Sequence, residues 1–584
     1  MSNPEMTAHL ESRSDPQRYL PEHLWTRWQA GDTLPGLSHL RVFLQAVLTY
    51  LPRRVAQARL ANPQSPAVTG AFAQATLMFA DISGFTAMSE RLTQLGREGA
   101  EVITGIVNDY FATMLETIAR HGGDLFKFSG DALLVCFSGE GAPVNACRAA
   151  LEMQAAMARF ALIEREQGTF HLRMKVGLGT GRLFLASLGS PERLEFAVMG
   201  PVLGRMAKAE SIAEAGAVLM DRVTFGAVAA LATADELSPG FYHLTGMTAG
   251  KTGPRFSSEI AAPEEMTDAR WLVQRLDALT PYLPPRLLEQ IIASPRRRMI
   301  EGEHRLVTVL FANFYGIDEI IQALGPDSGR AGSGRADELT AILNRHFTAM
   351  QGIIRKYGGI INKVDTYAVG YRIMAVFGAP AAHEDDPARA VHAALEMQAA
   401  VESLTGVGGV STSAGRFALK QRIGVNTGYV FAGNLGSKLR QEYSVMGDEV
   451  NLAARLTGIA SEGQVLISQA TARHVQGLFE WQERAPVKVK GKRQPVPSYQ
   501  VRRSVSAREG RPIPRRGFFG RQKELEAVRA LVDAALADRG AVLDISGGPG
   551  VGKSRLMEEL SAYAGERGMV TLRGEAISYG RNIP

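Results

Sequence analysis

The residues best suited to chemistry fall in a few short blocks. Asp81 ends the strand-like run TLMFADISGFTAMSE, and Asp131 follows the glycine of HGGDLFKFSGDALLVCF. Carboxylate oxygens at a strand end and a hairpin turn suit a hard cation of the Mg²⁺ type. A helix cap ahead of Ser83 and a plain turn residue after Gly130 are the competing roles for these two aspartates. Asn451 and Arg455 in VNLAARL lie one helical turn apart and so share a face. The guanidinium fork of such an arginine can grip phosphate oxygens. Near the C-terminal end, Gly547 to Ser554 reads G-x-x-x-x-G-K-S between the apolar run AVLDIS and a helical stretch. In that context Gly547 and Gly552 let backbone N–H groups cradle phosphates, Lys553 reaches the β/γ oxygens and Ser554 holds Mg²⁺. Eleven histidines and two cysteines include no H-E-x-x-H or Cys/His cluster, so zinc chemistry has no support.

The elements that carry these residues are duplicated. YLPRR from Tyr50 recurs as YLPPR from Tyr282, and 31 residues after each tyrosine stand Asp81 and Asn313. HGGDLFKFSGDALLVCF matches YGGIINKVDTYAVGYRIMAVF, KVGLGTGRLFLASLG matches RIGVNTGYVFAGNLG, and RLEFAVMG matches RQEYSVMG. Four blocks in one order, more than 230 residues apart, define a duplicated domain and not a solenoid. Within each copy, β-branched and aromatic runs alternate with amphipathic stretches, and a Gly-Gly pair stops a helix before a strand. That order predicts α+β domains of the ferredoxin-like β-α-β-β-α-β kind.

A length of 584 residues predicts about four domains at roughly 150 residues each. The boundaries predicted are 1–69 for an N-terminal helical segment, 70–255 and 301–503 for the two copies, and 256–300 for a linker helix. A basic linker follows at 504–516 and a P-loop NTPase start at 517–584. Thirty residues follow Ser554, which predicts a truncated NTPase. The net charge of +6 is mostly local: Arg502 to Arg516 holds six arginines against one glutamate. This reads as a solvated hinge, and nucleic-acid binding has no support. Two cysteines, no secretion signal and no apolar run near the ~20 residues of a membrane span predict a cytoplasmic protein without a membrane partner.

At FADISGFT, KFSGDALLVCF and YSVMGDEVNLAARL the sequence resembles the class III adenylyl and guanylyl cyclases. Tandem units ahead of a P-loop look most like the soluble, bicarbonate-responsive adenylyl cyclases. The resemblance implies conversion of ATP to 3′,5′-cyclic AMP and pyrophosphate with two Mg²⁺ or Mn²⁺ ions. It implies that Asp81, the Ile82 backbone and Asp131 hold metal, and that the turn through Ser83, Gly84, Phe85 and Thr86 faces the triphosphate. Asn451 and Arg455 would orient the ribose and stabilise the transition state, and Lys363 and Ser444 would read adenine, where guanine readers carry glutamate and cysteine. The deficits of the copies are complementary. Asn313 replaces the first aspartate in the second copy, whereas Gly204 and Lys208 stand in the first copy where the second has Asn451 and Arg455. Intramolecular pairing would then give one catalytic site and one degenerate site, where Lys127 and Arg205 would bind bicarbonate. A catalytically silent nucleotide or anion sensor of the NTPase, and a guanylyl cyclase, are the alternatives.

Overall fold

The computed structural model describes residues 15–85, 88, 91–92, 97–165, 168–248, 268–296, 303–325, 333–366, 371–379, 381–405, 409–487, 495–505, 520–537, 539–540, 542–546 and 553–569. The chain divides into two compact units, Met1–Ser504 and Val505–Pro584. Among the described residues, no helix is long and apolar enough to cross a membrane.

Each copy in the larger unit folds around one long apolar strand. In the first copy this is Thr69–Ser83, buried continuously from Ala75 to Met78 because helices cover one face and further chain covers the other. It pairs antiparallel with Ala132–Ser138 on one side and Arg173–Ser190 on the other. The sheet runs in the order Asp124–Ser129, Ala132–Ser138, Thr69–Ser83, Arg173–Ser190, Val218–Asp221, Phe241–Met247, Ala232–Ser238, with Arg193–Met199 as an arm on Arg173–Ser190. The second copy repeats it strand for strand around Glu303–Tyr315, with Gln441–Met446 as the arm on Lys420–Gly436. Helices Arg97–Arg120 and Ala142–Ala156 complete the β-α-β-β-α-β order, so the predicted α+β, ferredoxin-like class is the one observed. The Gly-Gly stops work as expected. Gly122 and Gly358 follow the long helices with φ of +77° and +79°, the left-handed conformation that ends a helix at little cost for glycine.

The copies pair by exchanging hydrophobic side chains. Leu435 and Met446 of the second copy are buried in the first copy's core beside Phe128 and Phe111. Reciprocally, Phe184, Leu188, Ala197 and Met199 of the first copy are buried in the second copy's core beside Phe314 and Phe347. Each fully buried leucine or phenylalanine contributes roughly 1.5–3 kcal/mol, so the pairing rests on the arms together with the strands that carry them, Arg173–Ser190 and Lys420–Gly436.

The segments ahead of each copy pack onto the pair. Leu40, Phe43 and Val47 of the helix Leu34–Leu48 share a core with Leu272 and Leu276 of Ala269–Leu279 and with Leu77 and Leu183 of the first sheet. Their Tyr-Leu-Pro turns each reach the opposite copy. The Tyr50 hydroxyl accepts from Asn434 Nδ2 at 2.5 Å, and the Tyr282 hydroxyl meets Ser187 Oγ at 2.7 Å. Cys136 lies in this core with its thiol pushed up to about 12 by burial, in keeping with an inert core thiol.

In the smaller unit, helices Gln522–Leu536 and Lys553–Glu566 meet through Leu525, Val528 and Leu556. Lys553 and Ser554 open the second of these helices. Gly547 and Gly552 lie outside the described residues.

Candidate active site

The first copy gathers two acids at one corner of its sheet. Asp81 is held within the strand, its Cα opposite Lys175, so it is not a helix cap. Ile82 follows with its side chain in the core and its Cα opposite Met174. Ser83 ends the strand, and Gly84 turns the chain with φ +98°. A Cβ on Gly84 would lie 2.4 Å from the His171 carbonyl oxygen, so glycine is required there. Phe85 is buried just beyond, and Thr86 lies outside the described residues.

Asp131 reaches the same corner from the hairpin. Ser129 pairs with Ala132, which leaves Gly130 and Asp131 as a two-residue turn, with Gly130 at φ +70°. Burial first, then the negative charge of Asp81, then that of Glu210, hold the Asp131 carboxyl well above the usual carboxylate range. Burial, aided by both aspartates, likewise pushes up the nearby Tyr110 hydroxyl, which donates to Met174 Sδ at 3.6 Å. Two oxygen acids that oppose each other's ionisation are the donor chemistry of a hard-cation site, because a divalent cation between them would keep both charged. Among the described residues, no cluster of three or more His, Cys, Asp or Glu surrounds a metal position, so protein donors would be this pair and backbone oxygens.

The second copy has dismantled the same corner. Ala80 pairs with Leu133 and Ala312 pairs with Ile373, so register places Asn313 where Asp81 stands and Tyr371 where Asp131 stands. Asp365 pairs with Arg372 as Ser129 pairs with Ala132, so register aligns it with Ser129 and not with Asp131. Arg372 lies opposite Asn313, with its guanidinium 4.6 Å from the Phe311 ring centre. His346 stands where the first copy has Tyr110, and burial lowers it to about 4, so it is neutral. The corner retains its turn: Gly316 has φ +94° and a Cβ there would lie 2.1 Å from the Ala418 carbonyl oxygen.

The residues predicted to act on the base and the ribose lie on the second copy's crossing elements. Helix Asp448–Ile459 starts one residue after the arm strand whose Met446 is buried in the first copy's core. Asn451 is exposed on it. Arg455 faces Asp448 at 3.6 Å, and its Nη1 is buried with no hydrogen-bond partner. In the first copy, Lys208 instead directs its ammonium to the Phe241 ring at 5.6 Å.

Lys363 is buried, donates to the Phe128 carbonyl at 2.7 Å and lies 3.2 Å from Glu442 Oε1. Glu442 Oε2 accepts from the Phe128 amide at 3.4 Å. Ser444, fully buried, donates to Asn362 Oδ1 at 3.1 Å. Glu442 and Asn362 carry no sequence motif of their own, and their roles emerge only from the pairing of strands.

Lys127 repeats Lys363 in mirror fashion and donates to the Val364 carbonyl. The two lysines flank a cavity of about 80 Å³ that Tyr50, Arg193, Tyr282 and Arg440 also line. Neither Asp81 nor Asp131 lines it, so it is a feature of the pseudo-two-fold axis and distinct from the acidic corner. Arg205 is not part of it. Its Nε donates to Asp221 at 2.8 Å and its Nη2 to the Thr180 carbonyl at 2.8 Å. Asp221 is committed to capping Thr224 as well, so the predicted Lys127–Arg205 anion pair does not form: Arg205 is a structural clip.

Family comparisons agree with this two-copy architecture. The model of the adenylate and guanylate cyclase catalytic domain matches residues 68–237 and 300–503, and an AAA ATPase domain model matches 517–584. The chain belongs to the adenylate and guanylate cyclase catalytic-domain family. It is 26% identical over 542 residues to adenylate cyclase type 10 of Oryctolagus cuniculus, covering 86% of this chain and 31% of that protein. The chain thus spans about a third of the length of that relative. Similar solved structures include the adenylyl cyclase CyaB of P. aeruginosa, at 30% identity over 35% of this chain and 97% of that one with a TM-score of 0.29. A class III adenylyl cyclase-like ATP-binding protein of Pseudomonas aeruginosa is 14% identical over 73% of this chain and 94% of that one, with a TM-score of 0.47. Members of the family use divalent metal ions.

Proposed function

We propose that the tandem pair is an adenylyl cyclase with one working site, formed between the acidic corner of the first copy and the crossing strand and helix of the second. The observation that carries this reading is complementary loss. The corner with two aspartates belongs to the copy that lacks the asparagine and arginine, and the copy with Asn451 and Arg455 has Asn313 and Tyr371 in place of the aspartates.

In this reading, the ribose 3′-oxygen bonds to the α-phosphorus while the bond from that phosphorus to pyrophosphate breaks. Asp81, the Ile82 backbone and Asp131 would hold two Mg²⁺ or Mn²⁺ ions, which supply activation of the 3′-hydroxyl and charge neutralisation on the phosphates. Ser83, Gly84, Phe85 and Thr86 would offer backbone N–H groups to the triphosphate, and Lys175, opposite Asp81, is the adjacent cation. Asn451 orients the ribose. Arg455, whose buried Nη1 has no hydrogen-bond partner, meets charge growing on the phosphate oxygens. Lys363 and Ser444 read the adenine edge, and admitting a purine requires Lys363 to exchange the Phe128 carbonyl for the base. The P-loop from Gly547 to Ser554 is read as a separate nucleotide site, and two buried free cysteines fit a reducing cytoplasm. Bicarbonate enters the reading through Lys127 alone. Unchanged turnover in bicarbonate at constant pH, with Lys127→Ala equal to wild type, would remove it.

The test of the main reading is cyclic AMP formation from ATP with Mn²⁺ or Mg²⁺, in wild type and Asp81→Asn. Activity that falls on the order of a thousandfold in the variant is expected, since the metal's contribution is several kcal/mol. Equal activity in both would dismiss the site assignment, and no product from a folded wild type would dismiss the cyclase reading in favour of a silent sensor.

A further inference from the structure

Asn362 sits on a β-bulge. The ladder between Ile360–Thr366 and Tyr371–Phe377 slips between Ile361 and Lys363, which leaves Asn362 without a ladder position. The first copy has the same slip between Leu125 and Lys127, with Phe126 as the bulged residue. Bulges turn a side chain out of its strand's alternation, and here each turned side chain meets the arm strand. Phe126 packs edge-on to Phe196 at 5.2 Å, with Ala197 next along. Asn362, in contrast, is fixed by two hydrogen bonds of opposite sense.

The amide Nδ2 donates to the Tyr443 carbonyl at 3.2 Å, and Oδ1 accepts from Ser444 Oγ at 3.1 Å. A carbonyl can only accept, so Tyr443 settles which end of the amide is nitrogen, and the oxygen must face Ser444. That in turn settles the serine. A free hydroxyl can donate or accept, but one whose proton is committed to Asn362 has only lone pairs left to offer.

We infer that Asn362 is a specificity-determining positioning residue, which fixes the Ser444 hydroxyl as an acceptor and thereby selects an adenine base over guanine. Adenine carries an N6 amino donor where guanine carries an O6 acceptor. An acceptor-only serine pairs with the first and opposes the second. Lys363, one residue along the same strand, donates beside it. The degenerate half has no such relay, since Phe126 and Ala197 stand at both positions. This inference rests on the proposed nucleotide site between the copies.

The experiment measures equilibrium binding of 3′-deoxy-ATP and 3′-deoxy-GTP with Mn²⁺, since neither can cyclise. Wild type should favour the adenine nucleotide. In Asn362→Leu the ratio of the two affinities should narrow about tenfold, the order expected for one neutral hydrogen bond. Ser444→Ala, a smaller change that copies Ala197, should narrow it similarly, and the double variant should narrow it no further than either single one. Affinities that fall together with the ratio unchanged would mark Asn362 as merely structural and overturn the inference. Independent, additive effects of the two substitutions would also overturn it, as would a wild type without adenine preference. Adenine preference that depends on Asn362, in a wild type that forms no cyclic AMP, would keep the relay and sink the cyclase reading instead.

Discussion

The two acidic-corner positions, read side by side, separate what holds this fold from what a catalytic site needs. Both copies keep the long central strand, the bulged hairpin strand and the turn glycine that only glycine can occupy. In the first copy that frame presents Asp81 and Asp131, whose mutual repulsion in a desolvated corner is a standing cost of folding. In the second copy, Asn313, Tyr371 and His346 occupy the same frame as neutral groups, so the repulsion is gone. Among the described residues, Asn313 Oδ1, the Tyr371 hydroxyl and both His346 nitrogens are buried without hydrogen-bond partners. The copy relieved of charge has therefore not been rebuilt as a well-satisfied core. It keeps the outline of a site with its two carboxylates removed.

If the copies differ by function in this way, exchanging their residues should have lopsided effects. The largest concerns the arginine. Arg455→Lys copies Lys208 and should lower kcat on the order of 10²–10³-fold, because a point charge replaces a planar fork aimed at the transition state. KM for ATP should change little. Lys208→Arg in the first copy should leave turnover unchanged, and a gain there would show that the second site is still competent.

The next effect is in stability against pH. His346 titrates at about 4 in the folded chain against 6.5 in its ordinary state. Below pH 6.5 the unfolded chain takes up a proton that the folded chain refuses until about pH 4, so stability must fall across that window. The loss from His346 is about 3 kcal/mol, and His346→Phe should remove that share in denaturant titrations at successive pH values, leaving the share of His39, which burial also lowers to about 4. A profile as steep as that of wild type would mean that His346 carries none of the acid sensitivity.

The smaller of the stability effects comes from the first copy's own repulsion. The folded-state shift of Asp131 is upward, so its cost is present when it must ionise at neutral pH and vanishes once acid protonates it in both states. Asp131→Asn should therefore raise the melting temperature at pH 7, without divalent metal, by a few degrees. The same substitution should abolish cyclic AMP formation. A variant that loses both stability and activity would point to a structural aspartate.

Much of this was legible before any coordinates. The duplication, the α+β class, the helix-stopping glycines and the placing of Asp81, Asp131, Asn451 and Arg455 on separate copies follow from local chemistry. Periodicity, positive-φ glycines and motif spacing are local, and local signals survive in one dimension. The Lys127–Arg205 pairing failed for the opposite reason. It required two side chains from separate elements to converge, and Asp221, a helix cap 16 residues beyond Arg205, took the guanidinium instead.

The sequence alone determined that there are two copies and which chemical groups each has kept. Only the tertiary structure decided which groups meet. It exchanged arm strands between cores, so that Met446 anchors the second copy's helix against the first copy. It put Tyr371 in register with Asp131, and it used a one-residue bulge to turn Asn362 onto Ser444. Register and crossing are set by long-range burial of apolar surface, which no run of neighbouring residues encodes.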